Sequence, residues 1–337
     1  MSYLSVHSLS ESFESRKISG IYNIAFDCQQ GTIVGILGPS GCGKSTLLRT
    51  IEKKIASKDK TVSCQAERVQ LFEKIQINDS SKTVWDTLVN AVHITKDSEQ
   101  KMNLVRDVLS AFELTTYIKD KVSTLSQGQY QRVLLCKTLV NQPELLLLDE
   151  PFAHLDKLLR NTIMQEFFAF LKQKQITCLW VGHEPYEVLE FSDQVLLLNA
   201  GRKVQFSSPE DLYLKPNSLF SAQFFGPINI FIGQYDLVQK KFSHALFQLE
   251  NFKYEYTLNE NKACLAIRPE SWKINHKSKD GINLEVEIVK STFQGPQYLY
   301  QAQISSEAPL SLTSSLKLGH SAQISCDLRD IISLPPV

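Results

Sequence analysis

The sequence predicts two domains of different class. The first is an α/β domain built on a parallel sheet, with a helical subdomain inserted into it; the second is a smaller all-β domain. Three observations lead there. Short apolar runs alternate with segments of helical period through the first two-thirds of the chain. One glycine-rich turn joins such a run to such a segment with the spacing of a phosphate-binding loop. Beyond about Pro216 the helical periods give way to short runs with the two-residue period of strands. A length of 337 residues also exceeds what one core ordinarily serves.

The elements follow in order. "GTIVGIL", residues 31–37, is an apolar run that breaks at glycine and reads as a strand. "KSTLLRTIEKKI", residues 44–55, reads as a helix. Between Trp85 and Phe112 there are helical patterns without strands, "KMNLVRDVLSAF" among them, which defines a helical subdomain over about residues 84–140. "LLLLD", residues 145–149, is a short buried strand. "LLRNTIMQEFFAFLKQK" carries Leu159, Ile163, Phe167 and Phe170 near helical spacing. "ITCLWVG" and "QVLLLN" are strand-like. The proline-punctuated stretches "SPEDLYLKPNSLF" and "FFGPINIF" bridge from a first domain at residues 1–228 to a second at 229–337. The second contains "FKYEYTL", "ACLAIRP", "INLEVEIVK", "YLYQAQI" and "SAQISC", the pattern of a barrel or sandwich.

Composition narrows the function classes. Hydrophobic residues make up 43% and charged residues 21%, as in soluble globular proteins. Lys plus Arg and Asp plus Glu number 36 each, which argues against a broad nucleic-acid or anionic-lipid surface. Residues 241–337 balance ten basic against ten acidic side chains, so the all-β domain offers no basic groove and nucleic acid is not an expected partner. The seven cysteines lie far apart without a CxxC pair, fitting neither zinc nor a disulfide framework and favouring a reducing cytosol. "MSYLSVHSLSESFESRK" lacks the apolar core of a signal peptide, and no run reaches the roughly 18 apolar residues of a spanning helix.

"GPSGCGKST" supplies Gly38, Pro39, Ser40, Gly41, Cys42, Gly43, Lys44, Ser45 and Thr46. It fits G-x-x-x-x-G-K-[ST] at every fixed position and lies between a strand and a helix, as that motif requires. The glycines let backbone N–H groups point inward as an anion nest, and the helix N-terminus adds partial positive charge. Lys44 can reach the β- and γ-phosphates of a nucleoside triphosphate, Ser45 can ligate Mg²⁺, and Thr46 can donate to a nearer phosphate. The loop alone fits a kinase or a GTPase equally well. Asp149 ends a strand expected to lie beside the loop, where a carboxylate can hold Mg²⁺. Glu150 then sits on the γ-phosphate side, where it can orient and deprotonate a water.

"LSQGQ" (125–129), Gln131 and Arg132, "LLLLDEP" (145–151), "AHLD" (153–156) and His183 in "WVGHE" together resemble the ABC-transporter ATPases in order and spacing. The resemblance covers Ser2 to Gly226, with Gln127 where that family commonly has glycine. It implies an α/β P-loop NTPase of the ABC type that hydrolyses ATP with Mg²⁺. It also implies two copies facing head to tail, with Ser126, Gln127, Gly128 and Gln129 of one contacting the γ-phosphate held by the other. A helix N-cap accounts for Ser126 but not for Gly128 and Gln129. The resemblance makes His183 the switch histidine, Asp156 the residue that communicates across the dimer, and Phe13 the aromatic that stacks on adenine. The glutamine that links Mg²⁺ to the membrane partner falls on Glu73, with Gln70 and Gln76 as rivals.

The chain has one phosphate loop and one signature turn, so it should pair with itself as a homodimer and work on separate permease chains. "LAIRPESWKI" resembles the OB-like (TOBE) domain appended to importer ATPases for ferric iron, polyamines, sulfate and sugars. That places the chain peripherally on the cytoplasmic face of the inner membrane, served indirectly by a solute-binding protein. Ferric iron is the expected cargo, with spermidine/putrescine, sulfate and sugar as alternatives. A soluble ABC ATPase not coupled to transport is the rival from another class.

Overall fold

The structure, a computed structural model, describes residues 2–12, 20–72, 81–153, 155–258, 261–304 and 309–336. The chain divides into two compact units, Met1–Pro209 and Glu210–Val337.

The first unit begins with strands β1 (Leu4–Ser12), β2 (Gly20–Cys28) and β3 (Ile33–Leu37), then helix α1 (Lys44–Ala56), β4 (Val62–Cys64) and β5 (Val69–Phe72). Helices α2 (Val84–Ala91), α3 (Ser98–Ala111) and α4 (Gln127–Leu139) follow before the chain returns to β6 (Leu145–Asp149). Next come α5 (Lys157–Gln173), β7 (Thr177–Val181), α6 (Pro185–Phe191), β8 (Gln194–Asn199) and β9 (Arg202–Ser207). The main sheet has the order β5-β6-β7-β3-β8-β9; all its pairings are parallel except β8 with β9. A second sheet, β2-β1-β4, is antiparallel.

The apolar runs form strands because helices cover the sheet. Leu145, Leu146, Leu147 and Leu148 are fully buried on both faces of β6, each worth about 1.5–3 kcal/mol of burial. The helices start where the sequence supplies caps: Thr83 accepts from Asp86 N at 3.1 Å and Asp97 from Gln100 N at 2.7 Å. Lys53 and Lys54 sit in the last turn of α1, where the dipole favours cations.

β6 does not neighbour β3; β7 lies between them. Local pattern reports that a strand is buried but not its place in the sheet. The long antiparallel pair β1/β2 and the edge strand β9 also went unanticipated, because their apolar residues are interrupted by polar ones and by register shifts.

The proline-rich bridge folds into α7 (Pro209–Leu214), whose first residue is the last of the first unit, and α8 (Leu219–Phe224), with Pro209 in the first turn of α7. Strands β10 (Asn229–Asp236), β11 (Lys241–Ser243), β12 (Gln248–Leu249), β13 (Lys262–Ile267), β14 (Lys273–Ile274), β15 (Ile282–Phe293), β16 (Tyr298–Gln303), β17 (Leu310–Ser314), β18 (Ser321–Cys326) and β19 (Ile332–Leu334) complete the second unit. They form two antiparallel sheets, β12-β11-β10-β13-β19 and β14-β18-β15-β16-β17, an OB-like half-barrel. Phe231, Phe242, Leu265, Trp272, Tyr300 and Leu312 lie in their shared core.

"FKYEYTL" is not a strand. Phe252 and Tyr254 are buried and Lys253 and Glu255 exposed, so the side chains keep the two-residue alternation. The backbone, however, bonds outside any ladder: Phe252 N donates to Lys240 O at 2.9 Å and Tyr254 N to the Tyr235 hydroxyl at 3.3 Å. Extended chain and sheet strand share a period; only the ladder separates them.

Candidate active site

The parallel register sets one row of residues across three strands, with Ile36 beside Val181 and Val181 beside Asp149. The segments that follow this row therefore leave one end of the sheet together: the loop from Gly38, the turn at Glu150, and Gly182–His183. That is where ligands bind in open α/β sheets.

Gly43 caps α1 with φ 103°, a left-handed conformation open to glycine, and no side chain caps the helix start. The first-turn N–H groups of α1 thus face the loop. Lys44 is buried, and its Nζ donates to Gly38 O at 2.8 Å and Pro39 O at 3.0 Å, which folds the side chain back over the loop. Cys42 is buried in the same turn, and burial pushes its thiol up from the ordinary value, so it packs as a neutral group.

Although β6 lies one strand away from β3, Asp149 still reaches the loop. Ser45 Oγ donates to Asp149 Oδ1 at 2.9 Å, because α1 crosses the sheet face above β6. Glu150 takes φ 52°, costly for a residue with a side chain, at the turn leaving β6. Its Oε2 lies 2.8 Å from His183 Nε2. Gln131 Nε2 donates to Pro151 O, tying this turn to α4.

Three residues of the turn before α4 have a local structural account. Ser126 and Gln129 form a reciprocal capping box: Ser126 N donates to Gln129 Oε1 at 2.9 Å, and Gln129 N to Ser126 Oγ at 3.4 Å. Gly128 packs against α5, where an added Cβ would stand 2.6 Å from Leu159 Cδ2. Helix capping thus extends to Gln129, while Gly128 is accounted for by packing and not by the cap. Ser126 and Gln127 remain exposed at the surface. Asp156 caps α5, accepting from Leu159 N at 3.0 Å.

Phe13, Glu73 and Gln76 lie outside the described residues. Gln70 is in β5, its Nε2 donating to Leu71 O at 3.1 Å. Arg160 and Glu187, not singled out from sequence, pair at 2.9 Å between α5 and α6. Their only sequence signal is position: Arg160 stands four residues after Asp156 and Glu187 four after His183. A cleft of about 420 Å³ opens within the helical segment, lined by Thr83, Trp85, Arg106, Leu109 and Ile118 among others. No helix among the described residues is long and apolar enough to cross a membrane.

A family profile described as ABC transporter matches residues 21–153. The spermidine/putrescine import ATP-binding protein PotA of Clostridium acetobutylicum is 32% identical over 298 residues, 84% of this chain and 83% of that protein. The Fe(3+) ions import ATP-binding protein FbpC of Mannheimia succiniciproducens is 31% identical over 260 residues, 72% of each chain. Among solved structures, cbiO1 of Clostridium perfringens, part of the ABC transporter complex cbiONQ, superposes with a TM-score of 0.54 at 21% identity. It covers 63% of this chain and 90% of that one, a likeness of fold.

Proposed function

The chain belongs to the ABC transporter family, and from that premise we propose how its residues carry out ATP hydrolysis and couple it to uptake. It is the ATP-binding, ATP-hydrolysing subunit of an importer, working with membrane permease components. The observation that carries the residue assignment is the meeting of Lys44, Ser45, Asp149, Glu150 and His183 at one end of the sheet.

ATP lies on the loop Gly38–Thr46, its β- and γ-phosphates against the N-terminus of α1. Lys44 exchanges its two loop carbonyls for phosphate oxygens. The Ser45 hydroxyl and the Asp149 carboxylate, 2.9 Å apart, are oxygen donors that suit a hard divalent cation. A Mg²⁺ ion held by Ser45 and Asp149 would neutralise phosphate charge. Glu150 takes the proton of the attacking water, and His183 holds Glu150 and the γ-phosphate side in one arrangement. Ser126, Gln127, Gly128 and Gln129 of a second copy close over the nucleotide, and Asp156 faces that copy. Closure on ATP and reopening after hydrolysis drive the permease. The cleft beside Trp85 is where a permease helix would dock, with the chain peripheral on the membrane.

Polyamine uptake is the better supported cargo: the spermidine/putrescine relative aligns over 84% of the chain, the Fe(3+) relative over 72%. Uptake of labelled putrescine and of labelled ferric iron, in cells with and without the gene, decides between them. For the chemistry, Glu150→Gln should bind ATP, accumulate as a dimer on gel filtration, and lose hydrolysis by about 10²-fold or more. Near-normal turnover removes Glu150 as the base. A triphosphate held complete by one protomer, with Ser126 distant in every assembly, removes the dimer.

A further inference from the structure

We infer that Arg160 is a positioning residue for the hydrolysis proposed above: its guanidinium ties the loop carrying Asp156 to the helix that follows His183. This rests on the assignment of His183 and Asp156 to the nucleotide site.

Arg160 stands in the first turn of α5, where its backbone N donates to Asp156 O at 2.9 Å. Its side chain turns back over that start in two directions. Nε donates to Glu187 Oε1 at 2.9 Å, and Nη1 to Leu155 O at 3.4 Å. Leu155 immediately precedes Asp156 and is buried. Glu187 is in the first turn of α6, one turn beyond His183. The two charged side chains are 22% and 23% exposed, so solvent screens them less than an open surface pair.

The need for such a tie is visible in α6. It has only seven residues, and Glu184 gives its N-terminus no side-chain cap. Val188 seats its middle tightly, since a Cβ on Gly35 or Gly182 would stand 2.3 Å from a Val188 methyl. Its far end is held where Trp180 Nε1 donates to Ser192 Oγ at 3.1 Å. The end near His183 is anchored by Glu187. His183 itself is 56% exposed while its partner Glu150 is 23% exposed, so the histidine's place depends on its backbone. Arg160 thus makes the Asp156 loop and the His183 segment one unit. The planar fork of arginine serves two acceptors at fixed separation; lysine, a point donor, keeps the ion pair but cannot reproduce both arms.

The test uses the full-length chain with Arg160→Gln, Arg160→Lys and Glu187→Gln. Both Arg160 variants should lower kcat by about tenfold or more, with the KM for ATP within about twofold. Amide hydrogen exchange at residues 155–159 and 183–187 should quicken together in both, without a change at the phosphate loop. Glu187→Gln, which keeps a neutral acceptor, should lose less. Wild-type kcat and exchange in Arg160→Lys overturn the two-armed tie. A rise in KM matching the fall in kcat, or faster exchange throughout the first unit, overturns the positioning role in favour of general stability. Glu150→Gln assayed alongside separates this from the underlying reading. If it hydrolyses ATP normally the base assignment fails, while exchange in the Arg160 variants still decides the tie.

Discussion

At the open ends of β3, β6 and β7 the polar side chains face one another, Ser45 with Asp149 and Glu150 with His183. In the β unit Asn229, Tyr235, Tyr300 and Arg268 face backbone instead. Asn229 Nδ2 donates to Ile267 O and Ser311 O, and Ser311 N donates to Asn229 Oδ1. The Tyr235 hydroxyl donates to Phe252 O, that of Tyr300 to Leu316 O, and Arg268 to Ala222 O and Tyr213 O. A side chain bonded to backbone inside a closed core is locked to the fold, whereas Lys44, bonded to carbonyls of an open loop, is not. A pair of side chains at a strand end can trade its partner for a ligand. The difference separates a working edge from a scaffold. It predicts that substitutions at the first change chemistry at nearly constant stability, and those at the second the reverse.

Lys44→Ala presses hardest on that contrast. The loop carbonyls it leaves can turn to water, so the fold should hold. The positive charge proposed to meet the phosphates is lost, and ATP hydrolysis should fall by about 10²-fold or more. Steady-state turnover together with a thermal melt checks both halves. A cooperative loss of melting temperature as large as that of a core truncation would show the lysine to be part of the scaffold instead.

Asn229→Ala approaches from the other side. Asn229 is buried and ties β10, in one sheet, to β17, in the other. Its removal strands two carbonyls and one N–H, at about 1–3 kcal/mol for each that water does not reach. The second unit should lose about 3 kcal/mol, read in a denaturant titration, while ATP affinity and kcat stay within about twofold. A loss of ATP binding as large as the loss of stability would erase the contrast.

How much of this was legible in the sequence follows the same line. The strand–turn–helix context of residues 38–46 and the place of Asp149 at a strand end were plain, because fixed spacing and strand-end carboxylates are local facts. The four buried strands of the parallel sheet were plain too, since Leu145–Leu148 or Thr177–Val181 can sit only between helices. Sheet order was not: nothing in "LLLLD" says that β7 separates it from β3. Nor was the account of Gly128, which depends on Leu159 thirty-one residues away. Arg160 and Glu187 carried no motif, because an ion pair between helices leaves no period. "FKYEYTL" misled for a related reason: tyrosine hydroxyls and loop carbonyls serve its backbone, and only coordinates reveal that.

The smallest expected effect lies in an ion cluster of the second unit. Asp327 accepts from Lys273 and, at 2.8 Å, from Ser278 Oγ, with Arg329 at 3.9 Å. The Lys273 and Ser278 hydrogen bonds hold its carboxyl below the ordinary aspartate value of 3.8. A lowered folded value means that the folded state favours the ionised form. Its stabilising contribution is therefore present above about pH 3.8 and drains away as pH falls through the lower folded value. Asp327→Asn removes that dependence, so the acid limb of a denaturant-midpoint curve between pH 5 and pH 2 should flatten for the second unit. Near neutrality Asp327→Asn should lose that same contribution, small because the group is solvent-screened, and the two proteins should converge as pH falls. ATP hydrolysis should not respond at any pH where both proteins are folded. An acid limb unchanged by Asp327→Asn would place the acid sensitivity elsewhere, and a shifted pH profile of hydrolysis would mean that this corner of the scaffold takes part in the chemistry after all.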